Sequence, residues 1–190
     1  MEANAARHSL RSERLVLVPA APEHAKTTWP FIDDERMWEF FPALRPPTLE
    51  ALRQRYERWT HEMPYLGALE RWENWVCIEP DGGPVGEAQA TYAGTIVYVA
   101  YAVFLPFRHH GYAREALAAV LDHARSAHGS QRAVAEIATK NEASIGVAES
   151  LGFERIRRRT DDDRGLGYSG DSYVYRLMLI GGGENSSASR

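Results

Sequence analysis

The segment from Arg108 to Ala113, which reads Arg-His-His-Gly-Tyr-Ala, lies where a predicted strand is followed directly by a predicted helix. The first N–H groups of a helix have no acceptor within the helix and lie at the positive end of its dipole, so such a turn can bind phosphate oxygens. Gly111 permits close approach of a ligand, and Arg108 can add a positive charge. The segment therefore indicates a phosphate-binding turn, although an ordinary strand-to-helix turn has the same spacing.

Two adjacent histidines in this segment, His109 and His110, raise the question of a metal site. Neighbouring side chains diverge, and no further ligands follow at the usual spacing, so we expect no metal. The segment also lacks the Gly-Lys-Ser/Thr ending of a Walker loop and the three spaced glycines of a dinucleotide-binding turn. The predicted ligand is therefore some other molecule that carries phosphate.

The elements around this turn follow from the spacing of apolar residues. An i, i+3, i+4, i+7 pattern predicts a helix from Gly111 to about Gly129, with a strand over 96–104 before it and another over 133–138 after it. A strand, a helix and a strand in succession predict a parallel pair with a right-handed crossover. These elements would place the turn at the carboxyl end of a central strand.

The remaining pattern predicts a mixed α/β domain with helices on both faces of a mostly antiparallel sheet. Further strands are predicted over 15–18, 75–79, 85–92, 153–160 and 173–179, and further helices over 22–31, 48–60 and 141–151. Small polar residues at both ends predict a flexible N-terminus over 1–10, a single domain over 11–180 and a flexible C-terminal tail over 181–190.

Composition restricts the classes of partner. The net charge is −4, which gives no general attraction to nucleic acid or anionic membranes, and no apolar run approaches the length of a membrane span. We therefore expect a cytoplasmic protein without nucleic-acid or membrane partners. The single cysteine, Cys77, excludes an internal disulfide and is expected in the core of a strand.

Two motifs resemble those of the GNAT N-acetyltransferase superfamily. Its motif A, Gln/Arg-x-x-Gly-x-Gly/Ala, is matched by Arg108, Gly111 and Ala113. A second element, Asn-x-x-Ser followed by Leu-Gly-Phe, is matched by Asn141, Ser144 and residues 151–153. The beginning, Ser-Glu-Arg-Leu over residues 12–15, and the helix start over 111–116 resemble the ribosomal-protein N-terminal acetyltransferase branch.

The resemblance implies a GNAT fold with a central sheet of about seven strands, of which strands 4 and 5 are parallel and splayed. It implies acetyl-CoA as the donor and an amine as the acceptor, with the pyrophosphate on the turn amides and pantetheine beside the backbone of Val103. The implied coenzyme A contacts are Val103, Arg108, His109, His110, Gly111, Tyr112, Ala113, Asn141 and Ser144.

The resemblance also bears on the proton donor for the leaving thiolate. Many members carry a tyrosine at the position of Ala148, where this chain has no hydroxyl. Ser144 lies one helical turn earlier on the same face. It is therefore our candidate for protonating the thiolate, or for holding the coenzyme A sulfur. A plain serine near a helix N-terminus is the alternative.

No general base is apparent from the sequence. Glu87 and Glu136 lie in predicted strands and could project toward the gap, but isolated glutamates on strands are usually solvated, and a water chain could serve instead. The run Asp161–Asp163 is interpreted as part of a charged hairpin, or alternatively as an acidic lip that attracts an amine.

The acceptor stays open between a protein N-terminus and a small molecule. Aromatic residues that could hold an alkylammonium, or simply pack in the core, are Trp38, Phe40, Phe41, Tyr56, Trp59, Tyr65 and Trp72. The missing tyrosine also allows a non-catalytic acyl-CoA-binding regulatory module, and a nucleotide-phosphate binder is a more distant alternative. An exposed sheet edge would allow a homodimer.

Overall fold

The computed structural model describes residues 8–60, 70–160 and 170–179. Its strands are β1 (Leu10–Arg11), β2 (Val16–Pro19), β3 (Glu70–Glu79), β4 (Gly83–Ala93), β5 (Ile96–Val103), β6 (Arg132–Ala138), β7 (Glu154–Arg159) and β8 (Ser172–Met178). Its α-helices are α1 (Ala25–Ile32), α2 (Leu49–Thr60), α3 (Tyr112–His128) and α4 (Glu142–Ser150). The expectations for most of the two termini, for Tyr65 and for Asp161–Asp163 concern residues outside the described ranges.

The described strands form one mixed sheet in the order β1-β2-β3-β4-β5-β6-β8-β7. All neighbours are antiparallel except β5 and β6, which are parallel as predicted. The sheet has eight strands rather than about seven, because a two-residue strand, β1, precedes the first predicted strand and pairs with it through Leu10 and Leu17. The predicted strands 4 and 5 are therefore β5 and β6, and the predicted fold class is confirmed.

Helices cover both faces of the sheet, and each face has its own core. On one face α3 buries Leu117, Val120 and Ala124 against sheet residues such as Val97 and Ala133. This is the set that the helical periodicity predicts. The helix ends at Gly129, whose φ of 62° is left-handed and whose N–H donates to the carbonyl of Ala124.

On the opposite face α1 and α2 pack as a pair. Ile32, Leu52 and Tyr56 are buried with Val76 of β3 and with Phe104, the residue after β5. Thr28 of α1 and Tyr56 of α2 also share a hydrogen bond of 3.0 Å between their hydroxyl oxygens. The second face is therefore fixed by both apolar and polar contacts.

Two further sequence expectations can be compared with this fold. Cys77 is buried in β3, as predicted. None of the helices that the structure describes has the length and apolar character needed to cross a bilayer.

Candidate active site

The candidate site begins where β5 and β6 separate. The two strands pair at Ile96, Val97 and Tyr98 of β5 but at no later residue of that strand among those described. Among the described strands, β5 pairs only with β4 from Val99 to Val103, while β6 pairs with β8 as far as Ala138. Within the described ranges, the separation therefore leaves backbone donors and acceptors along the facing edges without strand partners, and an extended amide-bearing ligand can satisfy them.

The turn after β5 leads directly from this gap to the N-terminus of α3. A short 3₁₀ turn spans Leu105–Phe107, and the backbone then takes left-handed values at His109 (φ 64°) and Gly111 (φ 83°). No side chain caps α3 at Gly111. Within the described part of the chain, no amide N–H from 109 to 114 donates to a protein acceptor. The turn therefore presents consecutive unpaired donors at the positive end of a long helix, which suits an anion.

Three residues that the sequence analysis did not assign to the site hold this turn in place. Arg14 donates from Nη2 to the carbonyl of His110 at 3.0 Å and from Nε to Glu115 Oε2 at 2.8 Å. Ser12 donates from Oγ to Glu115 Oε1 at 2.6 Å. Burial alone would raise the pKa of Glu115, but the hydrogen bonds from Ser12 and Arg14 outweigh it and lower that pKa. The ionised carboxylate thus ties the first hairpin to the start of α3.

Arg14 also lies close enough to the turn to face a bound anion. Its guanidinium carbon is 4.7 Å from the centroid of the Tyr112 ring, and its Nη2 lies 3.4 Å from where a Cβ on Gly111 would be. The sequence carried a signal for this contact, because Ser12, Arg14 and Glu115 all belong to segments that resemble the ribosomal-protein branch. The spacing of residues in the sequence does not predict their contact, since about a hundred residues separate Arg14 from Glu115.

Replacing Arg14 by alanine is expected to weaken coenzyme A binding about fivefold, because the turn loses one charge-assisted bond and a nearby cation. Arg11 is a matched control, since it is an exposed arginine on the same hairpin. Calorimetric titration of both alanine variants with coenzyme A checks the prediction. Equal affinities for the two variants would contradict it.

The side chain of Arg108 lies beside the end of β5. Its Nε donates to the carbonyl of Val103 at 3.4 Å, and its Nη2 lies 3.8 Å from the sulfur of Met37. Arg108 is an exposed residue. Arg108 and Val103, which the sequence analysis named separately, are therefore in contact.

Helix α4 begins beside the gap with the cap that its sequence predicts. Asn141 accepts through Oδ1 a hydrogen bond of 3.1 Å from the N–H of Ser144. Ser144 is half-buried in the first turn, and Ala148, one turn later, is fully buried. The position at which many relatives carry a tyrosine is thus closed by packing in this chain.

A tyrosine reaches this helix from β5 instead. Tyr101 donates from its hydroxyl to the backbone carbonyl of Ser144 at 3.1 Å, and burial raises its pKa to about 12. Tyr101 is not among the site residues predicted from the sequence. Strand alternation carried a signal, because Tyr101 follows Val97 and Val99 on the face of β5 that packs toward α3 and α4.

The two strand glutamates are paired, so the expectation that such residues are solvated is wrong here. Glu87 is half-buried and accepts a hydrogen bond from the hydroxyl of Tyr56 in α2. Burial raises the pKa of Glu87, although the Tyr56 hydrogen bond and the charge of Arg55 act in the opposite direction. Glu87 lies opposite Ala102 of β5, one strand from the gap.

Glu136 of β6 is engaged by the neighbouring strands. It accepts a hydrogen bond of 3.0 Å from Arg159 Nη1 and another of 2.6 Å from the hydroxyl of Ser172. These partners lie in β7 and β8, which the sequence alone does not place beside Glu136. The contacts make Glu136 part of an ion pair between strands.

Most of the aromatic residues near α1 and α2 pack rather than line an open surface. Trp29, Trp38 and Trp59 lie against the second core, and Trp38 donates from Nε1 to the carbonyl of Ile32 at 2.7 Å. Phe31 stacks on Phe104 with centroids 5.2 Å apart. The interpretation as core packing, which the sequence left open, therefore accounts for much of this cluster.

The sequence matches the family model described as acetyltransferase (GNAT) domain over residues 14–154. This match covers most of the chain and contains the splayed strands, the amide turn and α4. The chain therefore belongs to the GNAT acetyltransferase family. It is an acyltransferase, and the family uses acetyl-CoA as the acetyl donor.

Solved structures show the same fold at low sequence identity. A GNAT-family acetyltransferase from Bacillus anthracis is 19% identical, with a TM-score of 0.74 over 90% of this chain and 99% of the other. RimL, a ribosomal L7/L12 alpha-N-protein acetyltransferase in complex with coenzyme A, is 17% identical, with a TM-score of 0.73 over 90% of this chain and 98% of the RimL chain. A spermidine N-acetyltransferase SpeG chimera from Vibrio cholerae and hSSAT is 13% identical, with a TM-score of 0.70 over 88% of this chain and 96% of the chimera. No curated protein sequence matches the chain.

Proposed function

We propose that this enzyme moves an acetyl group from acetyl-CoA to a primary amine by direct attack in the gap between β5 and β6, with a protein N-terminus as the favoured acceptor. The observation that carries the proposal is the adjacency of two unpaired sets of backbone groups. The open edge of β5 leads, through a short turn, to the uncapped N-terminus of α3. We further propose that the catalytic domain spans residues 11–180, somewhat beyond the family match.

Acetyl-CoA fits the groups that this chain presents. The amides from His109 to Ala113 would hold the diphosphate, and the edge of β5 near Val103 would hydrogen-bond the amides of pantetheine. Asn141 and Ser144 lie at the far side of the gap, at the start of α4. Bound in this way, the donor supplies a thioester carbonyl as the electrophile.

The reaction requires two proton transfers, and the chain offers groups for both. The ammonium of the acceptor must lose a proton before its nitrogen attacks the carbonyl carbon, and the thiolate released when the C–S bond breaks must gain one. We assign the first transfer to Glu87, whose raised pKa suits a proton acceptor. We assign the second to Ser144, with Tyr101, which donates to the Ser144 carbonyl, as the competing donor.

Changing Ser144 to alanine is expected to lower kcat about tenfold and to leave the affinity for coenzyme A nearly unchanged, because a proton donor acts on the leaving group rather than on the bound donor. Tyr101→Phe is the matched variant, since it removes a hydroxyl from the same region. Steady-state kinetics and calorimetry on both variants separate the roles. An equal loss of turnover and affinity in Ser144→Ala would contradict the proton-transfer assignment.

The described charges near the gap favour an acceptor with one ammonium. Glu87 is already assigned to that ammonium as its proton acceptor, and Glu136 is engaged by Arg159 and Ser172, so neither of these two carboxylates is left for a second cationic centre. A protein N-terminus meets this condition better than a polyamine does. The resemblance of residues 12–15 to the ribosomal-protein branch also supports a protein acceptor.

An amine panel tests the acceptor class. Thiol release from acetyl-CoA is measured with peptides that differ in their first residue, with the same peptides blocked at the α-amine, and with spermidine. We expect turnover with unblocked peptides and little with blocked ones. Faster turnover with spermidine would overturn the preference for a protein N-terminus. Binding of acetyl-CoA without thiol release on any amine would instead indicate a non-catalytic acyl-CoA-binding module.

A further inference from the structure

A second group of side chains converges at the opposite end of α3 from the proposed diphosphate turn. It consists of Glu73 of β3 with His123 and His128, which lie in the last two turns of the helix. Helix α3 has 17 residues and is thus about 25 Å long. The group, which we call the Glu-His-His cluster, is therefore separate from the acetyl-transfer site and takes no part in the mechanism proposed above.

The three ligand-type atoms of the cluster lie close to the spacing that a tetrahedral metal requires. Glu73 Oε2 is 2.8 Å from His123 Nε2 and 3.3 Å from His128 Nε2, and the two imidazole nitrogens are 3.3 Å apart. Zinc binds such atoms at about 2.0–2.2 Å, which places tetrahedral ligands about 3.3 Å from one another. Two of the three separations already have this value, and a small rotation of Glu73 supplies the third.

Several hydrogen-bonding groups of this cluster converge on one carboxylate oxygen. The Nε2 atoms of His123 and His128 both lie within 3.3 Å of Glu73 Oε2. The same oxygen also accepts a hydrogen bond of 2.8 Å from the hydroxyl of Tyr92. Two N–H groups directed at one oxygen would hold their positive ends close together. A cation at the centre replaces that crowding with three favourable contacts, because the nitrogens then offer lone pairs instead of protons.

The neighbours of the cluster fix the orientation of its side chains. Arg71 donates to Glu73 Oε1 at 3.0 Å, which leaves Oε2 as the atom that faces the histidines. The ring of Tyr92 lies 4.1 Å from that of His128, and Trp75 meets the ring of His123 edge to face at 5.9 Å. Supporting contacts of this kind commonly orient metal ligands. The three side chains are 12–17% exposed, so solvent can supply a fourth ligand.

We propose that Glu73, His123 and His128 bind one divalent transition-metal cation of the zinc class, with the fourth position open to solvent. The cation would join the C-terminal end of α3 to β3. Its expected role is to stabilise the fold at this end of the helix.

Metal titration of the untagged full chain tests the proposal. After treatment with chelator, calorimetry with Zn²⁺ is expected to show one saturable site, and the melting temperature is expected to rise with added Zn²⁺. In His128→Ala the affinity for Zn²⁺ should fall at least twentyfold. His110→Ala is the matched control, because it removes an exposed histidine from the other end of α3 and should leave the affinity for Zn²⁺ unchanged.

Cobalt provides a readout that does not depend on the variants folding. Co²⁺ bound to the native chain at a tetrahedral site gives intense visible absorption, and equimolar Zn²⁺ should abolish it by displacement. Two results would overturn the proposal. One is the lack of a saturable one-to-one site in the native chain. The other is Zn²⁺ affinity that survives in the His123→Ala/His128→Ala double variant or that disappears in His110→Ala.

Discussion

Replacing Gly111 by aspartate is expected to weaken coenzyme A binding by more than tenfold while leaving the fold intact. Gly111 has a φ of 83° and precedes the unpaired amides of α3, so its side chain would lie at the proposed diphosphate site. A carboxylate there repels the diphosphate and competes for the same amides. Arg14 Nη2 lies 3.4 Å from the position of the new Cβ and would offset part of this repulsion.

Gly111→Asn is the matched control for this prediction. Asparagine and aspartate have nearly the same shape, and both tolerate the left-handed region better than most residues, so the comparison isolates the charge. Asparagine would still occupy space at the diphosphate site, so calorimetry with coenzyme A should give a reduced affinity for the asparagine variant and a much weaker one for the aspartate variant. Equal affinities in the two variants would reject an electrostatic origin, and unchanged affinity in both would reject the turn as the diphosphate site.

Changing Glu87 to glutamine is expected to lower kcat/KM about a hundredfold, which is typical of the loss of a general base. The base must be ionised, so native activity should rise with pH through the raised pKa of Glu87, above the ordinary value of 4.5 for a glutamate. In the plot of kcat/KM against pH, this rise forms an acidic limb, which the variant should lose. A second rise at higher pH, which reflects deprotonation of the acceptor amine itself, should remain in both proteins.

Glu136→Gln is the control, because Glu136 is also a strand glutamate but is held by Arg159 and Ser172. It should retain most of the native activity and the same acidic limb. The decisive comparison is the pH profile of kcat/KM for the native chain and the two variants. An acidic limb that persists unchanged in Glu87→Gln would show that another group, or a chain of water molecules, accepts the proton.

Local signals predicted the elements that position the site. The apolar period of α3, the glycines at its two ends and the Asn141 cap all act within a few residues, so the sequence displays them directly. The parallel pair of β5 and β6 followed from the strand, helix and strand order. β1 was missed because two residues are too few to show an alternation.

Contacts between distant segments could not be predicted in the same way. Glu87 is engaged by Tyr56 of α2, and Arg14 is engaged by Glu115 of α3, and neither pair has a fixed spacing in the sequence. Tyr101 is an intermediate example. Alternation along β5 predicts the face of the sheet on which Tyr101 lies, but it does not predict the hydrogen bond to α4. Family resemblance supplied the donor and the role of the turn, whereas the partners of the charged residues required the fold.

A crystal structure of the chain with bound coenzyme A tests the central claim most directly. We predict that diphosphate oxygens lie within hydrogen-bond distance of backbone N–H groups between His109 and Ala113, and that pantetheine runs along the edge of β5 toward Ser144. A diphosphate bound elsewhere, with those N–H groups bonded to protein atoms, would contradict the claim.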